Sequence, residues 1–488
     1  MKIASRRTCV LAVGLAWTLV AVPVGADCSL EKKVVDQKQP PIYCLENDFL
    51  RVEIAPQRAG GIRRVFYKPT KTELNIPPEQ VGGDPSLMDR IYRHVPERDI
   101  TVIEVEYFGR YPAVTEVVKN TTEEVSVRTS VTAASPSFQG LVVHKTYTLR
   151  RNSSALVLDH VLENSSSEPL KAGIWAQTYF RSSGLFAERN TYFSPASDGL
   201  RVITHPGKSA TEQGDWVLEP AAGWHAVLGN SSRTGLVGVF DLQYLSCYYD
   251  WYSKGQLAST FEWIVRQQDI PAKQAFRTSY VFIPVQDFKR VDGVVAGRFP
   301  VGISLLKTRF NTGDMVELEV QAAGPEAEKI TIKAQVLDVG VKDGPRTDLF
   351  SKEVLLQPGA AVSDASFRAV KEGAYALEVQ VVKDGRLLGS VSRPFAVGAA
   401  QMVARTAGPE IRPVGEKFLY PVIHLNLAGH DKLKFRAVTG VKTEPEKVAK
   451  EAAQERLTPR QANEARVRKV YPPVDLFMAV NESIVTPH

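Results

Sequence analysis

In the segment WAQTYF, residues 175–180, side chains alternate with period two. On a β-strand that period puts Trp175, Gln177 and Tyr179 on one face and Ile174, Ala176, Thr178 and Phe180 on the other. A flat aromatic ring supports the apolar face of a pyranose, and a neighbouring amide hydrogen-bonds its hydroxyls, so the first face suits a sugar-binding surface. The same residues also fit a packed aromatic core with its amide satisfied. An amide cannot shuttle a proton near neutral pH, so Gln177 offers recognition and not acid–base chemistry. A second cluster, YLSCYYDWYSKG at 244–255, gathers Tyr244, Tyr248, Tyr249, Trp251 and Tyr252 around Asp250 and Lys254, and Phe261-Glu262-Trp263 follows. Alternating aromatics in strands commonly pack on one another, so this cluster fits a core as well as a cleft wall.

Other chemistries lack their motifs. There is no Gly-X-Ser-X-Gly elbow, no phosphate-cradling glycine loop, no His-Glu-X-X-His and no Cys-X-X-Cys, which sets aside nucleotide, zinc-peptidase and common serine-hydrolase readings. The eight histidines are scattered, so no metal and no cofactor is expected.

The first residues, MKIASRRTCVLAVGLAWTLVAVPVGADC, place Lys2, Arg6 and Arg7 before an apolar run and small residues at Gly25 and Ala26. This pattern predicts a secretory signal peptide cleaved near Ala26, hence a periplasmic or secreted protein. Ser5-Arg6-Arg7 allows a twin-arginine signal, although Cys9 stands where an aromatic is usual. No later stretch is long and apolar enough for a membrane span. The formal charge is +6, and removing the three leader cations leaves +3, a near balance that argues against a nucleic-acid partner. Cys28 and Cys44 are the natural disulfide of an oxidising compartment, with Cys247 a buried free thiol. Asn120, Asn152, Asn164, Asn230 and Asn481 open Asn-X-Ser/Thr triplets, meaningful only in a host that glycosylates them.

Composition, 44% hydrophobic and 23% charged over 488 residues, allows two or three domains. From Tyr43 to about Pro284 short apolar alternations such as FLRVEIAP, LVVHKTYTLR and ALVLDHVLEN are broken by turn residues. This is an all-β signature, and its length favours one large two-sheet antiparallel sandwich over a barrel. Residues 299–398 supply roughly seven strands in about a hundred residues, the rhythm of an immunoglobulin-like sandwich. There Tyr375 could tie a corner, and Lys383-Asp384-Gly385-Arg386 reads as a hairpin turn. Residues 399–488 form a C-terminal extension, partly helical or loosely ordered, with a polar helix expected over 446–456. The resulting division is 1–26 leader, 27–298 large sandwich, 299–398 small sandwich and 399–488 extension.

Leu45-Glu46-Asn47-Asp48-Phe49-Leu50-Arg51-Val52-Glu53-Ile54 followed by Gly60-Gly61-Ile62, then His144-Lys145-Thr146-Tyr147-Thr148-Leu149, Val161-Leu162-Glu163-Asn164-Ser165-Ser166 and WAQTYF, resemble the galactose mutarotase-like superfamily, large β-sandwich proteins that bind or act on carbohydrates. The resemblance covers about half of the chain. In the catalytic aldose epimerases a histidine on the strand matching WAQTYF protonates the ring oxygen, and a glutamate from a late strand removes the anomeric proton. Gln177 stands at that histidine's place, so the resemblance implies sugar recognition without epimerisation. It makes Glu262 the candidate acid or base and Trp251 a stacking platform. By analogy with polysaccharide lyases on related sandwiches, His94, His144 and Tyr248 are candidates for elimination chemistry, with Arg90 to neutralise a uronate; His160 and His225 complete the histidines considered.

Three functional expectations follow. The leading one is an exported carbohydrate-binding or glycan-processing protein of the cell envelope with an oligosaccharide or polysaccharide partner. Its candidate residues are Glu262 and His144 for chemistry and Trp175, Gln177, Tyr179, Tyr248, Trp251, Arg90 and His94 for binding. The second is a polysaccharide lyase or glycoside hydrolase on the same scaffold, the latter needing two carboxylates such as Glu262 and Asp250 across a cleft. The third is a structural protein that meets a protein partner through the immunoglobulin-like domain or the tail.

Overall fold

A computed structural model describes residues 27–398, apart from 35–36, 38–39, 76–86, 95–102, 109–110, 181–188, 206–211, 219, 255–257, 341–343, 360 and 369–370, together with a short pair of strands, Leu433–Phe435 and Ser483–Val485. The leader, the helix expected over 446–456 and most of the extension lie outside the described residues. No helix among the described residues is long and apolar enough to cross a membrane.

The alternation that marks the first block becomes three antiparallel sheets. Leu156–Asn164 is typical: Leu156, Leu158, His160, Leu162 and Asn164 are buried while the residues between them are not. It sits inside a nine-stranded sheet, flanked by Ala275–Gln286 and Leu141–Arg150. A six-stranded sheet runs in the order Glu212–Leu218, Leu245–Ser253, Ala258–Ile270, Leu170–Tyr179, Leu87–His94, Ile103–Tyr107. A five-stranded sheet is a simple meander from Ser29–Lys33 to Thr72–Glu73. One core joins all three, including Leu45, Val52 and Ile54 from the meander, Tyr147, Leu158 and Leu162 from the nine-stranded sheet, and Ile174, Ala176 and Trp263 from the six-stranded one. Each large side chain fully buried there contributes about 1.5–3 kcal/mol. The large all-β sandwich is as expected.

Two residues of the segment 45–62 hold the fold together. Gly60 turns the chain at φ 64°, where a Cβ would lie 2.3 Å from Thr129, and its carbonyl accepts the Tyr147 hydroxyl at 2.7 Å. Asn47, 1% exposed, donates to the carbonyls of Arg150 and Ser153 at 2.7 Å each and accepts from the amides of Phe49 (2.9 Å) and Leu50 (2.7 Å). Asn164 uses its amide similarly on Glu168, Ile270 and Pro271. Being fully buried, it is closed to glycosylation in the folded protein.

The second block forms a sandwich of four- and five-stranded sheets around its own core, and it takes in Gly293–Val295. Tyr375 donates its hydroxyl to the Lys371 carbonyl at 3.3 Å and stacks on Phe395. Asp384 and Gly385, at φ 49° and 76°, make the expected hairpin turn. The two sandwiches meet through Phe193, Trp224, Ile283, Phe288 and Ala323 and through the Ser154 amide on the Pro325 carbonyl at 2.7 Å.

The expected Cys28–Cys44 disulfide is absent; both thiols are free. Ser29 pairs with Glu46 and Glu31 with Cys44, so Cys28 lies about 10 Å along the ladder from Cys44, beyond the ~7 Å that a disulfide spans. The Cys28 thiol instead approaches the Leu149 carbonyl, and burial pushes its pKa up to about 11. Cys247 is the buried free thiol expected, pushed up to about 12 by burial.

Replacing Asn47 by alanine strands two carbonyls and two amides between the meander and the nine-stranded sheet. The expected loss is about 3 kcal/mol, read by urea denaturation; a loss under about 0.5 kcal/mol would show that Asn47 is not the joint described.

Candidate functional site

Register on the six-stranded sheet brings distant residues level. Tyr107, Arg90, Trp175 and Ile264 form one row. Gln177, Glu262, Tyr249 and Trp216 form the next, and Tyr179, Thr260, Trp251 and Gly214 a third. All share the face opposite Ile174, Ala176, Phe261 and Trp263, which fill the main core. The alternation read from WAQTYF is therefore realised, and Trp175, Gln177, Glu262 and Arg90 meet, with Tyr179 and Trp251 one row away.

Glu262 is the centre. Its side chain is 3% exposed; one oxygen accepts the Trp175 indole N–H at 2.5 Å and the other the Thr260 hydroxyl at 2.7 Å. Arg90 stands 4.0 Å from it, donates to the Gln177 side-chain oxygen, and lies against the rings of Trp175 (4.7 Å) and Tyr107 (5.3 Å). Burial raises the Glu262 pKa, and Arg90, Thr260 and Trp175 oppose that rise. The donors at both oxygens and the nearby guanidinium are the surroundings that favour the charged form of a carboxyl group.

Above this base the rings accumulate. Trp216 stacks on Tyr249 at 4.1 Å and meets Trp175 edge-on at 5.9 Å. Tyr107 is 59% exposed and Trp216 37%. Gly214 matters because a Cβ there would lie 2.5 Å from the Tyr249 hydroxyl. Neither Trp216 nor Tyr107 stood out in the sequence; the visible signal is that Gly214 and Trp216 share one parity in EQGDWVL.

The remaining candidates go elsewhere. Tyr248 faces the core, fully buried, its hydroxyl donated to the Ala222 carbonyl at 3.0 Å. His144 lies on the nine-stranded sheet, bonded to Ser130 (2.8 Å) and Glu163 (3.0 Å), and does not join Glu262. His94 ends the Leu87–His94 strand opposite Ile103; its side chain lies outside the described residues. His160 is buried edge-on to Tyr280.

Asp250 is sealed on the core side, so it cannot pair with Glu262 across a cleft. It binds His225 at 2.8 Å, and His225 in turn bonds Ser194 at 2.9 Å; all three are fully buried. Burial raises the Asp250 pKa against the pull of His225. Asp215 lies directly opposite Asp250 and pairs with His205 at 2.9 Å, a hydrogen bond that lowers its pKa. This Ser-His-Asp arrangement has a triad's order but no access for a substrate. Among the described residues no three His, Cys, Asp or Glu side chains group to hold a metal.

Acid should neutralise Glu262 and weaken its contact to Trp175. Because the Glu262 pKa is raised, the folded state favours its protonated form more than the unfolded chain does. Tryptophan fluorescence should therefore show a step with its midpoint above the ordinary value of 4.5, absent in Glu262→Gln. A step unchanged by that substitution would assign it to another group.

No protein-family model matches the chain, and no curated protein sequence matches it. Solved structures resemble it loosely. The Slr1438 protein of Synechocystis sp. PCC 6803 is 11% identical over 53% of this chain and 98% of its own, with a TM-score of 0.40. A galactose mutarotase-like protein from Lactobacillus casei ATCC 334 is 9% identical over 50% and 99%, at 0.35. A polysaccharide lyase is 9% identical over 74% and 47%, at 0.31.

Proposed function

We propose that this chain is an exported carbohydrate-binding protein of the cell envelope that holds glycan on the outer face of its six-stranded sheet and is not an aldose epimerase. The observation that carries the reading is the set of rings, Tyr107, Trp175, Trp216 and Tyr249, presented on one face over a buried Glu262–Arg90 base. Such a face offers the flat apolar contact that pyranose rings take. Gln177 speaks against turnover, since it has no proton to transfer, but at 2% exposure with its oxygen accepting from Arg90 it braces Arg90 and is not the sugar-binding amide expected from the sequence. Neither a hydrolase carboxylate pair nor a Tyr-His-Arg cluster forms on this face among the described residues. Export rests on the leader sequence.

Calorimetry of the mature chain with a panel of envelope oligosaccharides tests the reading. Binding is expected for at least one, and Trp216→Ala should weaken it about tenfold or more while leaving the thermal transition within a few degrees. No binding by any member of the panel would count decisively against it.

A further inference from the structure

The aromatic face contains a cation whose charge is already answered. The Arg90 guanidinium donates to Gln177 on one side, sits 4.0 Å from the Glu262 carboxylate on another, and is flanked by the Trp175 and Tyr107 rings. Its side chain is only 16% exposed. Glu262 is held from within the sheet by Trp175 and Thr260, so the pair is fixed and close to neutral in sum. At the edge of the face, Arg201 donates to the Trp216 carbonyl at 3.2 Å and lies 3.6 Å from Asp198, so it too has an acidic neighbour.

We propose that Glu262 is the specificity-determining residue of this face: by cancelling Arg90 from beneath the rings, it makes the face select neutral sugars over uronates. The inference rests on the carbohydrate reading above and adds the charge class of the ligand. The cation against the Trp175 ring is Arg90, and a uronate carboxylate over Trp175 engages it by drawing it away from Glu262. That leaves a carboxylate buried without its counter-ion, a heavily penalised state. If Arg90 stays, the incoming anion meets a pair of no net charge and loses hydration with no compensating ion. A neutral ring meets neither penalty and uses the aromatic surface alone. Glu262 thus acts through Arg90 and is a positioning group, not a catalytic acid.

The test is calorimetry of the wild-type chain and of Glu262→Gln against hexose trisaccharides of several linkages, each beside its C6-oxidised hexuronate counterpart. Wild type should bind the neutral member of a pair at least tenfold more tightly. Glutamine keeps an oxygen for the Trp175 N–H but leaves Arg90 uncompensated, so the ratio should move at least tenfold toward the uronate, and less so in high salt. The double substitution Glu262→Gln with Arg90→Gln removes both charges and should restore the neutral preference. A wild-type preference for uronates overturns the proposal without needing any variant, as does a folded Glu262→Gln with an unchanged ratio. Both results leave the carbohydrate reading standing, whereas binding of neither form of any trisaccharide removes both.

Discussion

An ionised carboxylate that is almost wholly buried must be answered by donors and a counter-ion, or it forces the surrounding structure apart. Glu262 is answered by one of each kind: an indole N–H, a hydroxyl and a guanidinium. Each partner is held in place by the same contact. Trp175 is oriented through its N–H, and Arg90 is drawn over Trp175 and Tyr107. Trp216 rests edge-on against Trp175. The face is a consequence of one charge placed at the right register, and the rings around it are arranged by that charge as much as by their own packing.

The core side of the same strands carries a second compensated set, and the two sets are linked through the backbone. Asp215 and Asp250 face one another across adjacent strands, an arrangement that like charges disfavour. His205 and His225 answer them separately, and His225 is further clamped between the rings of Tyr248 and Phe261 at 4.7 and 4.4 Å. Asp215 immediately precedes Trp216, on the strand that edges the six-stranded sheet. The His205–Asp215 pair therefore helps to fasten the strand that supplies the most exposed tryptophan of the face. A Ser-His-Asp order is here a fastening and not a nucleophile, because nothing outside can reach it.

How much of this could be read from the sequence depends on whether parity alone decides a side chain's direction. In WAQTYF it does, and Trp175, Gln177 and Tyr179 face as their spacing says. In LSCYYDWYS it does not, since Tyr248 and Tyr249 are adjacent aromatics of opposite parity, and a register irregularity between Leu245 and Cys247 precedes them. Which tyrosine turns outward depends on pairing that a single sequence does not display. The pairings of Arg90 with Gln177 and of Trp175 with Glu262 each bridge 87 residues, so composition marks the members without marking the partners. His144 and the two N-terminal cysteines fail for related reasons. His144 faces out of the other sheet, and Cys28 and Cys44 are near in sequence but separated along the ladder.

The same charge logic bears on the residue at 177. A catalytic histidine there would have to become protonated to deliver a proton, and its cation would stand within hydrogen-bonding reach of Arg90. The site would then hold two positive charges over one buried carboxylate. A neutral acceptor avoids that conflict, and the glutamine oxygen supplies it while the amide remains uncharged at any ordinary pH. Gln177 is therefore a partner that Arg90 requires. With Arg90 fixed by Glu262 and the rings, a histidine at 177 would meet the same conflict.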